Sequence, residues 1–475
     1  MSGSTSKSEV SKVAASNNAA SNSTYESLFR RVLYPAYESG LRRRKTLTFL
    51  RESARDQWRS ADELHALQWR KLQRLIAHCW DHVPFYRDWW GQAGVAAAAD
   101  IRNREDYARL PVLTKPVIRE HIESMIAPAY RGQLYFKSTG GSTGEPLRFG
   151  YTRESYERRV AVMFRGYAWS GAHLGQRTAY LWGAPVAAPA GFHLFKDRLY
   201  HAAFNRCMLN AFDMNEQRMA EYADAIDRFK PETIVAYVGP LVELAHWIER
   251  NGRSIHRPMR ILGAAEALHP HQREQLQRVF GAPAYDTYGC REVMLIAAEC
   301  EVCDGLHLNS DHLHVEFAGG PAATGSAAIE PSDLIITDLH NDGMPLMRYA
   351  NGDLGTPGHA HCACGRGLPK LAKVDGRKLD ALRLQDGRLL PGEYIVYLFL
   401  AVTGVKQYQV VQREMDRLLV RLVPDTDYDA SVQDSIRDGI RKLAGDGVRI
   451  DFEVVDAIAL TASGKRRVTI CELPA

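Results

Sequence analysis

Between Glu26 and about Trp90 the apolar positions recur at three- and four-residue spacing, as in Leu64, Leu67, Leu72, Leu75 and Ile76, which predicts helix. Ser60-Ala61-Asp62-Glu63 has the form of a capping box that starts one such helix, and Pro84-Phe85-Tyr86 is expected to end the helical run. Residues 1–24 carry Ser, Ala, Asn and Lys with no periodic apolar positions. Such a segment cannot bury enough surface to offset its ordering entropy, so a disordered tail is expected there.

From about residue 133 to 375 the pattern changes to short β-rich runs alternating with helical ones. Thr178–Trp182, Thr233–Tyr237, Arg260–Leu262 and Leu334–Thr337 read as buried strands; Glu216–Phe229, Leu241–Arg250 and Pro270–Val279 read as helices. That alternation predicts an α/β fold with a mostly parallel sheet. After Val374-Asp375-Gly376 two strand-like runs, Val405–Val411 and Leu418–Val423, precede a helix from Ser431 to Leu443 and a run from Val448 to Val454. This predicts a small α+β domain of about a hundred residues. The chain thus divides into a tail (1–24), a large domain with mixed sheets and helices (25–376) and a small C-terminal domain (377–475).

Composition narrows the classes. With 45% hydrophobic and 24% charged residues over 475 positions, the chain is neither a small disulfide scaffold nor wholly disordered. The 60 Lys+Arg nearly balance 56 Asp+Glu, and a net charge of +4 excludes general nucleic-acid binding by the body, leaving a local basic run from Arg42 to Lys45. No apolar stretch suits a membrane span: the longest, Ile395–Val405, is interrupted by Thr403 and Gly404. Eight cysteines without a secretory signal imply reduced thiols and a cytoplasmic location.

Four motifs could carry chemistry. Ser138-Thr139-Gly140-Gly141-Ser142-Thr143-Gly144-Glu145-Pro146 can bring backbone N–H and hydroxyl donors close to an anion, although a bare Gly/Ser cluster is equally a surface loop. Tyr285-Asp286-Thr287-Tyr288-Gly289-Cys290-Arg291-Glu292 pairs a ring able to stack on a base with a carboxylate able to hold Mg²⁺, or else packs as core beside a solvated charge. Arg348-Tyr349-Ala350-Asn351-Gly352-Asp353-Leu354-Gly355 puts an Asp where it can accept from a ribose diol or close an Asx-turn. Thr461-Ala462-Ser463-Gly464-Lys465-Arg466-Arg467 presents a Lys after a small-residue turn.

In this order and spacing the four motifs resemble the adenylate-forming superfamily of acyl-CoA synthetases, adenylation domains and luciferases. Within it the chain is similar to the phenylacetate-CoA ligase family, through Val83-Pro84-Phe85-Tyr86-Arg87, Leu110-Pro111-Val112-Leu113-Thr114-Lys115, Phe149-Gly150-Tyr151-Thr152, Met344-Pro345-Leu346-Met347-Arg348-Tyr349 and Gly376-Arg377, over roughly residues 60–470. The resemblance implies an ATP- and acid-binding large domain and a mobile lid domain. It implies that Ser138, Thr139, Gly140, Gly141, Ser142, Thr143 and Gly144 grip the β- and γ-phosphates of ATP. Gly263, Ala264, Ala265, Glu266, Tyr285, Asp286, Thr287, Tyr288 and Gly289 would form the adenine pocket, with Tyr288 on the ring. Glu292 would bind Mg²⁺, Asp353 with Arg377 would hold the ribose, and Lys465 would act on the α-phosphate and the attacking carboxylate. Two positions depart from the family: Arg291 replaces the usual Thr, and Leu379 replaces the first Asp of Gly-Arg-x-Asp-Asp.

Cys300, Cys303, His307, Cys362 and Cys364 supply soft ligands for a tetrahedral Zn²⁺. Relatives with a Cys and a His after the Tyr-Gly segment and a later Cys-x-Cys-Gly favour Cys300, His307, Cys362 and Cys364, with Cys303 competing; reduced thiols without metal are the alternative. The implied function is ATP-dependent activation of an aryl, phenylacetate-like acid to an acyl-adenylate, then transfer to coenzyme A. The implied partners are a small carboxylic acid, ATP and CoA, and a homodimer is compatible with them. A serine-rich tail and long helical N-terminal region also resemble relatives of capsular or extracellular polysaccharide biosynthesis, in which an amine or a sugar would accept the acyl group. A catalytically silent scaffold is the third reading.

Overall fold

The computed structural model describes residues 24–139, 147–183, 199–211, 214–318, 331–359, 361–377, 382–385, 389–390, 395, 398–399, 402–445, 447–459 and 467–473. The expected tail, residues 1–24, lies outside these but for Thr24.

The N-terminal helical region is four consecutive pieces. Residues 24–41 include two π-helical turns, Phe29–Leu33 and Ala36–Leu41, and are followed by Thr46–Asp56, Ala61–His82 and Pro84–Gln92. The capping box is present: Glu63 N donates to Ser60 Oγ at 3.2 Å and Ser60 N to Glu63 Oε2 at 2.9 Å. Pro84 does not end helicity as expected. It forces Val83 into an extended conformation, which stops the first helix at His82, and then occupies the first turn of the next, where its missing N–H costs nothing.

Among the described residues, thirteen strands precede the C-terminal region. β1 (Tyr135–Ser138) and β2 (Arg148–Tyr151) form a hairpin around the glycine loop. The rest build one sheet from β3 (Thr178–Trp182), β4 (Arg206–Asn210), β5 (Thr233–Tyr237), β6 (Arg260–Ala264), β7 (Ala284–Cys290), β8 (Met294–Glu299), β9 (Leu306–Leu308), β10 (Leu313–Phe317), β11 (Ser332–Asp338), β12 (Tyr349–Pro357) and β13 (Lys370–Arg377). Its order is β10-β11-β12-β13-β9-β8-β7-β6-β5-β3-β4. From β4 to β7 every pairing is parallel, and the helices Glu216–Phe229, Val238–Arg250 and Pro270–Phe280 make the crossovers. From β7 to β10 every pairing is antiparallel. The expected mostly parallel sheet therefore holds for only half of it. Between β7 and β8, β8 and β9, and β11 and β12 the connections run to three, six and ten residues, shorter than the crossover that parallel pairing needs.

Two cores serve the two halves. Ile226, Leu244, Ile261 and Leu276 pack between helices and parallel strands, while Ile296, Leu308, Leu334 and Leu371 fill the antiparallel half. Toward the C-terminus, β14 (Leu382–Arg383) and β15 (Leu389–Leu390) pair, and β16 (Val405–Glu414), β17 (Arg417–Pro424), β18 (Arg449–Val454) and β19 (Thr469–Cys471) form a sheet of order β18-β17-β16-β19. The helix Ser431–Ala444 crosses from β17 to parallel β18 and buries Ile436 and Ile440 against Val410, Val420 and Leu422. No helix among the described residues is long and apolar enough to cross a membrane.

Candidate active site and cysteine cluster

The parallel strands end on a common edge, where open α/β sheets place their ligands. Trp182 at the end of β3 meets Tyr237 at the end of β5, with ring centroids 4.6 Å apart at 62°. Beyond β6, Ala265 adopts a left-handed φ of 69° and Glu266 turns back to accept from Gly239 N at 2.7 Å. Thr287 Oγ1 donates to Gly263 O at 2.7 Å, tying β7 to β6. The segments expected to form an adenine pocket, Gly263–Glu266 and Tyr285–Gly289, are therefore adjacent. On β7 the two-residue period sets Asp286 and Tyr288 on one face and Tyr285 and Thr287 on the other. Burial and the nearby Glu299 carboxylate raise the Asp286 acid to about 7. Its Oδ1 is buried without a hydrogen-bond partner.

The antiparallel half brings its own motif to the same place. Tyr288 Oη donates to Asp353 Oδ2 at 2.8 Å, Asn351 Nδ2 donates to both Tyr288 Oη (2.8 Å) and Asp353 Oδ2 (2.7 Å), and Asp353 N closes onto Asn351 Oδ1 at 3.1 Å. Burial and the Asp353 charge push the Tyr288 phenol well above its ordinary range, so it remains a donor. Glu292, in the turn between β7 and β8, is 4% exposed and accepts from Tyr349 Oη at 2.7 Å. Arg291 beside it is exposed, and Arg377 ends β13, with Asp353 of β12 as its register partner.

Sequence reasoning singled out Asp353 and missed Tyr349 and Asn351. The signal was there, because alternation along β12 puts 349, 351 and 353 on one face. The motifs that carried the family resemblance prove to be its scaffold. Tyr86 Oη donates to Pro345 O and accepts from Met347 N, and Leu113 bridges to Tyr349 through bonds of 2.9 and 3.0 Å to residues 348 and 350.

At the glycine loop, Ser138 ends β1 opposite Arg148, and Thr139 bonds Leu147 twice: its N donates to Leu147 O and its Oγ1 accepts from Leu147 N, both at 2.9 Å. The base of the loop is thereby closed. Gly140, Gly141, Ser142, Thr143 and Gly144 lie outside the described residues, as do Lys465 and Leu379.

Cys300, just after β8, His307 on β9, and Cys362 and Cys364 in the segment before β13 converge, with all four ligand atoms within 4.8 Å of one another. Cys300 Sγ lies 3.7 Å from Cys362 Sγ, and Cys364 Sγ lies 3.3 Å from His307 Nε2. His307 Nδ1 is 3.2 Å from Leu368 O, which fixes the proton on Nδ1 and turns the Nε2 lone pair to the sulfurs. Burial lowers His307 to about 4, keeping the imidazole neutral. Cys303, the competing ligand, is exposed and outside the cluster. All eight cysteines are free thiols.

Known proteins share parts of this sequence and its fold. Residues 382–472 match the model of the CapK C-terminal domain. The chain is 28% identical over 369 residues to phenylacetate-coenzyme A ligase of Thermus thermophilus, covering 74% of this chain and 79% of the relative, and 27% identical over 347 residues to that of Escherichia coli (70% and 76%). It is also 23% identical over 376 residues to protein CapK of Staphylococcus aureus (76% and 79%). Among solved structures, 2-hydroxyisobutyryl-CoA ligase in the postadenylation state superposes with a TM-score of 0.68 at 20% identity, over 88% of this chain and 91% of that one, and so shares the fold. By sequence the chain is thus similar to the phenylacetate-coenzyme A ligases and to protein CapK, and by structure it shares the fold of 2-hydroxyisobutyryl-CoA ligase.

Proposed function

We propose that the protein activates a carboxylic acid with ATP and Mg²⁺ to an acyl-adenylate and then passes the acyl group to coenzyme A. The observation that carries this reading is the convergence of Tyr288, Asn351 and Asp353 with Glu292 and Tyr349 at the ends of β6 and β7. A buried carboxylate on a polar network suits a ribose diol. A second one held by a phenol suits a divalent cation, whose charge would offset that of the phosphates. Asp286 Oδ1, buried and without a partner, suits an exocyclic amine of adenine.

Joining a carboxylate to a polyphosphate requires both anions to be neutralised before they approach. Ser138 through Gly144 would hold the β- and γ-phosphates, Arg377 would assist Asp353, and Lys465 would stabilise the α-phosphate and the incoming carboxylate. We place these residues in a large catalytic domain, 25–376, and a lid, 377–475. The substrate is read as an aryl acid, consistent with the names of the relatives and with Trp182 and Tyr237 beside the site. The test is acid-dependent ATP–pyrophosphate exchange over a panel of aryl and fatty acids. Lys465→Ala should abolish exchange without lowering the melting temperature, and undiminished exchange in that variant would sink the assignment.

The CapK C-terminal match and the likeness to protein CapK favour a second reading of the acceptor, an amine or a sugar. Supplying CoA after adenylation separates the two, since thioester formation supports the first. Absence of exchange with every acid, despite ATP binding, would instead support a silent scaffold.

The cysteine cluster is read as a structural zinc site. With Zn–S near 2.3 Å, a tetrahedron spaces its sulfurs roughly 3.8 Å apart, and the 3.7 Å between Cys300 and Cys362 fits it. Four protein ligands leave no open position for catalysis.

A further inference from the structure

The segment Thr24–Leu41 is apolar on both of its sides. Inward, Phe29 and Tyr34 pack on Phe204, with ring centroids 5.2 and 5.8 Å away. Outward, Tyr25, Leu28, Val32, Leu33 and Leu41 are all exposed, from 38% to 76%. Tyr25 is tied to the body, donating from Oη to Ala203 O at 2.6 Å and stacking on Phe29, but a helix needs only one apolar face to join a core, and Leu28, Val32, Leu33 and Leu41 stand apart from it.

Charge is divided across the same stretch. Residues 24–59 hold nine Lys/Arg against four Asp/Glu, a net +5, whereas the whole chain carries +4, so all other residues together sum to −1. Three of those four acids, Glu26, Glu38 and Asp56, are buried. Arg31, Arg42, Arg43 and Lys45 are exposed. Their turn is fixed to the body: Arg153 Nη2 donates to Arg42 O at 2.6 Å and Arg43 O at 2.7 Å, and Lys45 N donates to Glu157 Oε2 at 2.9 Å. The result is a rigid surface with an apolar stripe beside a cationic ridge.

We propose that this face docks on an anionic phospholipid bilayer, with Leu28 and Val32 at the boundary of headgroups and acyl chains and Arg31, Arg42, Arg43 and Lys45 on headgroup phosphates. Apolar side chains flanked by Lys and Arg are what an interfacial helix uses. A second copy is the less suitable occupant, since a two-fold contact would set the cationic ridge against itself. No described helix is suited to span the membrane, so the association is peripheral.

Co-sedimentation of the full-length protein with vesicles tests this. Vesicles of phosphatidylcholine mixed with phosphatidylglycerol should bind it, and vesicles of phosphatidylcholine alone should bind it at least about tenfold less. Arg42→Glu/Arg43→Glu and Leu28→Ser/Val32→Ser should each weaken binding to the mixed vesicles about tenfold or more while leaving the melting temperature unchanged. Raising salt should release the wild-type protein as the charges are screened. Equal binding to both vesicle types, no binding to either, or light scattering showing a dimer that Leu28→Ser/Val32→Ser dissociates would overturn the proposal. Should the apolar variant fail to fold, the arginine variant and the salt titration decide alone.

Discussion

The Tyr288 hydroxyl donates a 2.8 Å hydrogen bond to Asp353 although β7 and β12 are separated in the sheet by β8, β9 and β13. Four strand spacings in a flat sheet would be about 19 Å, so the antiparallel half must curl back on itself to close this bond. The curl sets the proposed adenine and ribose contacts side by side.

That geometry makes the pair separable by mutation. Asp353→Ala should raise the KM for ATP in the exchange reaction about tenfold or more, the size expected for losing hydrogen bonds to a charged acceptor. Tyr288→Phe keeps the ring but removes the phenol that links Asp353 and Asn351, and should raise KM severalfold with a smaller change in kcat. An unchanged ATP dependence in Asp353→Ala would remove the ribose assignment.

Glu292 and Tyr349 make a second separable pair. Glu292→Gln should lower exchange by about two orders of magnitude or more, through loss of the cation's anchor. Tyr349→Phe leaves the carboxylate in place but removes the donor that orients it, and should shift the Mg²⁺ needed for half-maximal rate upward by about tenfold. A rate reduction in Tyr349→Phe that is independent of Mg²⁺ would mean that the phenol serves only packing.

How legible this was in the sequence depended on whether the signal was local. The helix Glu216–Phe229 and the box at Ser60 are read directly, since caps and periodicity lie within a few residues. The antiparallel half was not, because strand direction depends on connections that the apolar pattern of Leu334–Thr337 does not report. Site residues follow the same division. Asp353 stood out through its flanking glycine, and alternation puts Tyr349 on the same face of β12, but its partner Glu292, fifty-seven positions away in sequence, is set only by the curled sheet. The cysteines were the converse case. Spacing left five candidates, and the fold excluded Cys303 by turning it outward.

Zinc should be present at one per chain by elemental analysis and should survive Cys303→Ser. Cys362→Ser or prolonged chelation should remove it and lower the melting temperature by several degrees, because the cluster ties β8 and β9 to the segment before β13. Exchange activity in the fraction that remains folded should persist. A folded, metal-free wild-type protein would end the assignment.

Asp286 predicts a pH dependence of stability. Its folded pKa of about 7 lies above the ordinary 3.8, raised first by burial and then by Glu299, whose carboxylate is held by Arg273 through two bonds of 2.9 Å. Below about pH 4 the acid is protonated folded or unfolded and contributes nothing to the dependence. Between about pH 4 and 7 the folded state holds the proton and the unfolded chain has lost it, so stability falls as pH rises. Above 7 the folded protein must carry a buried carboxylate, and the full penalty stands. Asp286→Asn mimics the protonated form at every pH. Denaturant unfolding of both proteins should therefore show a gap in favour of the variant that is near zero at about pH 4 and grows to at most about 4 kcal/mol by about pH 8. A gap that does not change with pH would show that Asp286 is ionised throughout, and its proposed contact with the adenine amine would then have to be made by a charged carboxylate.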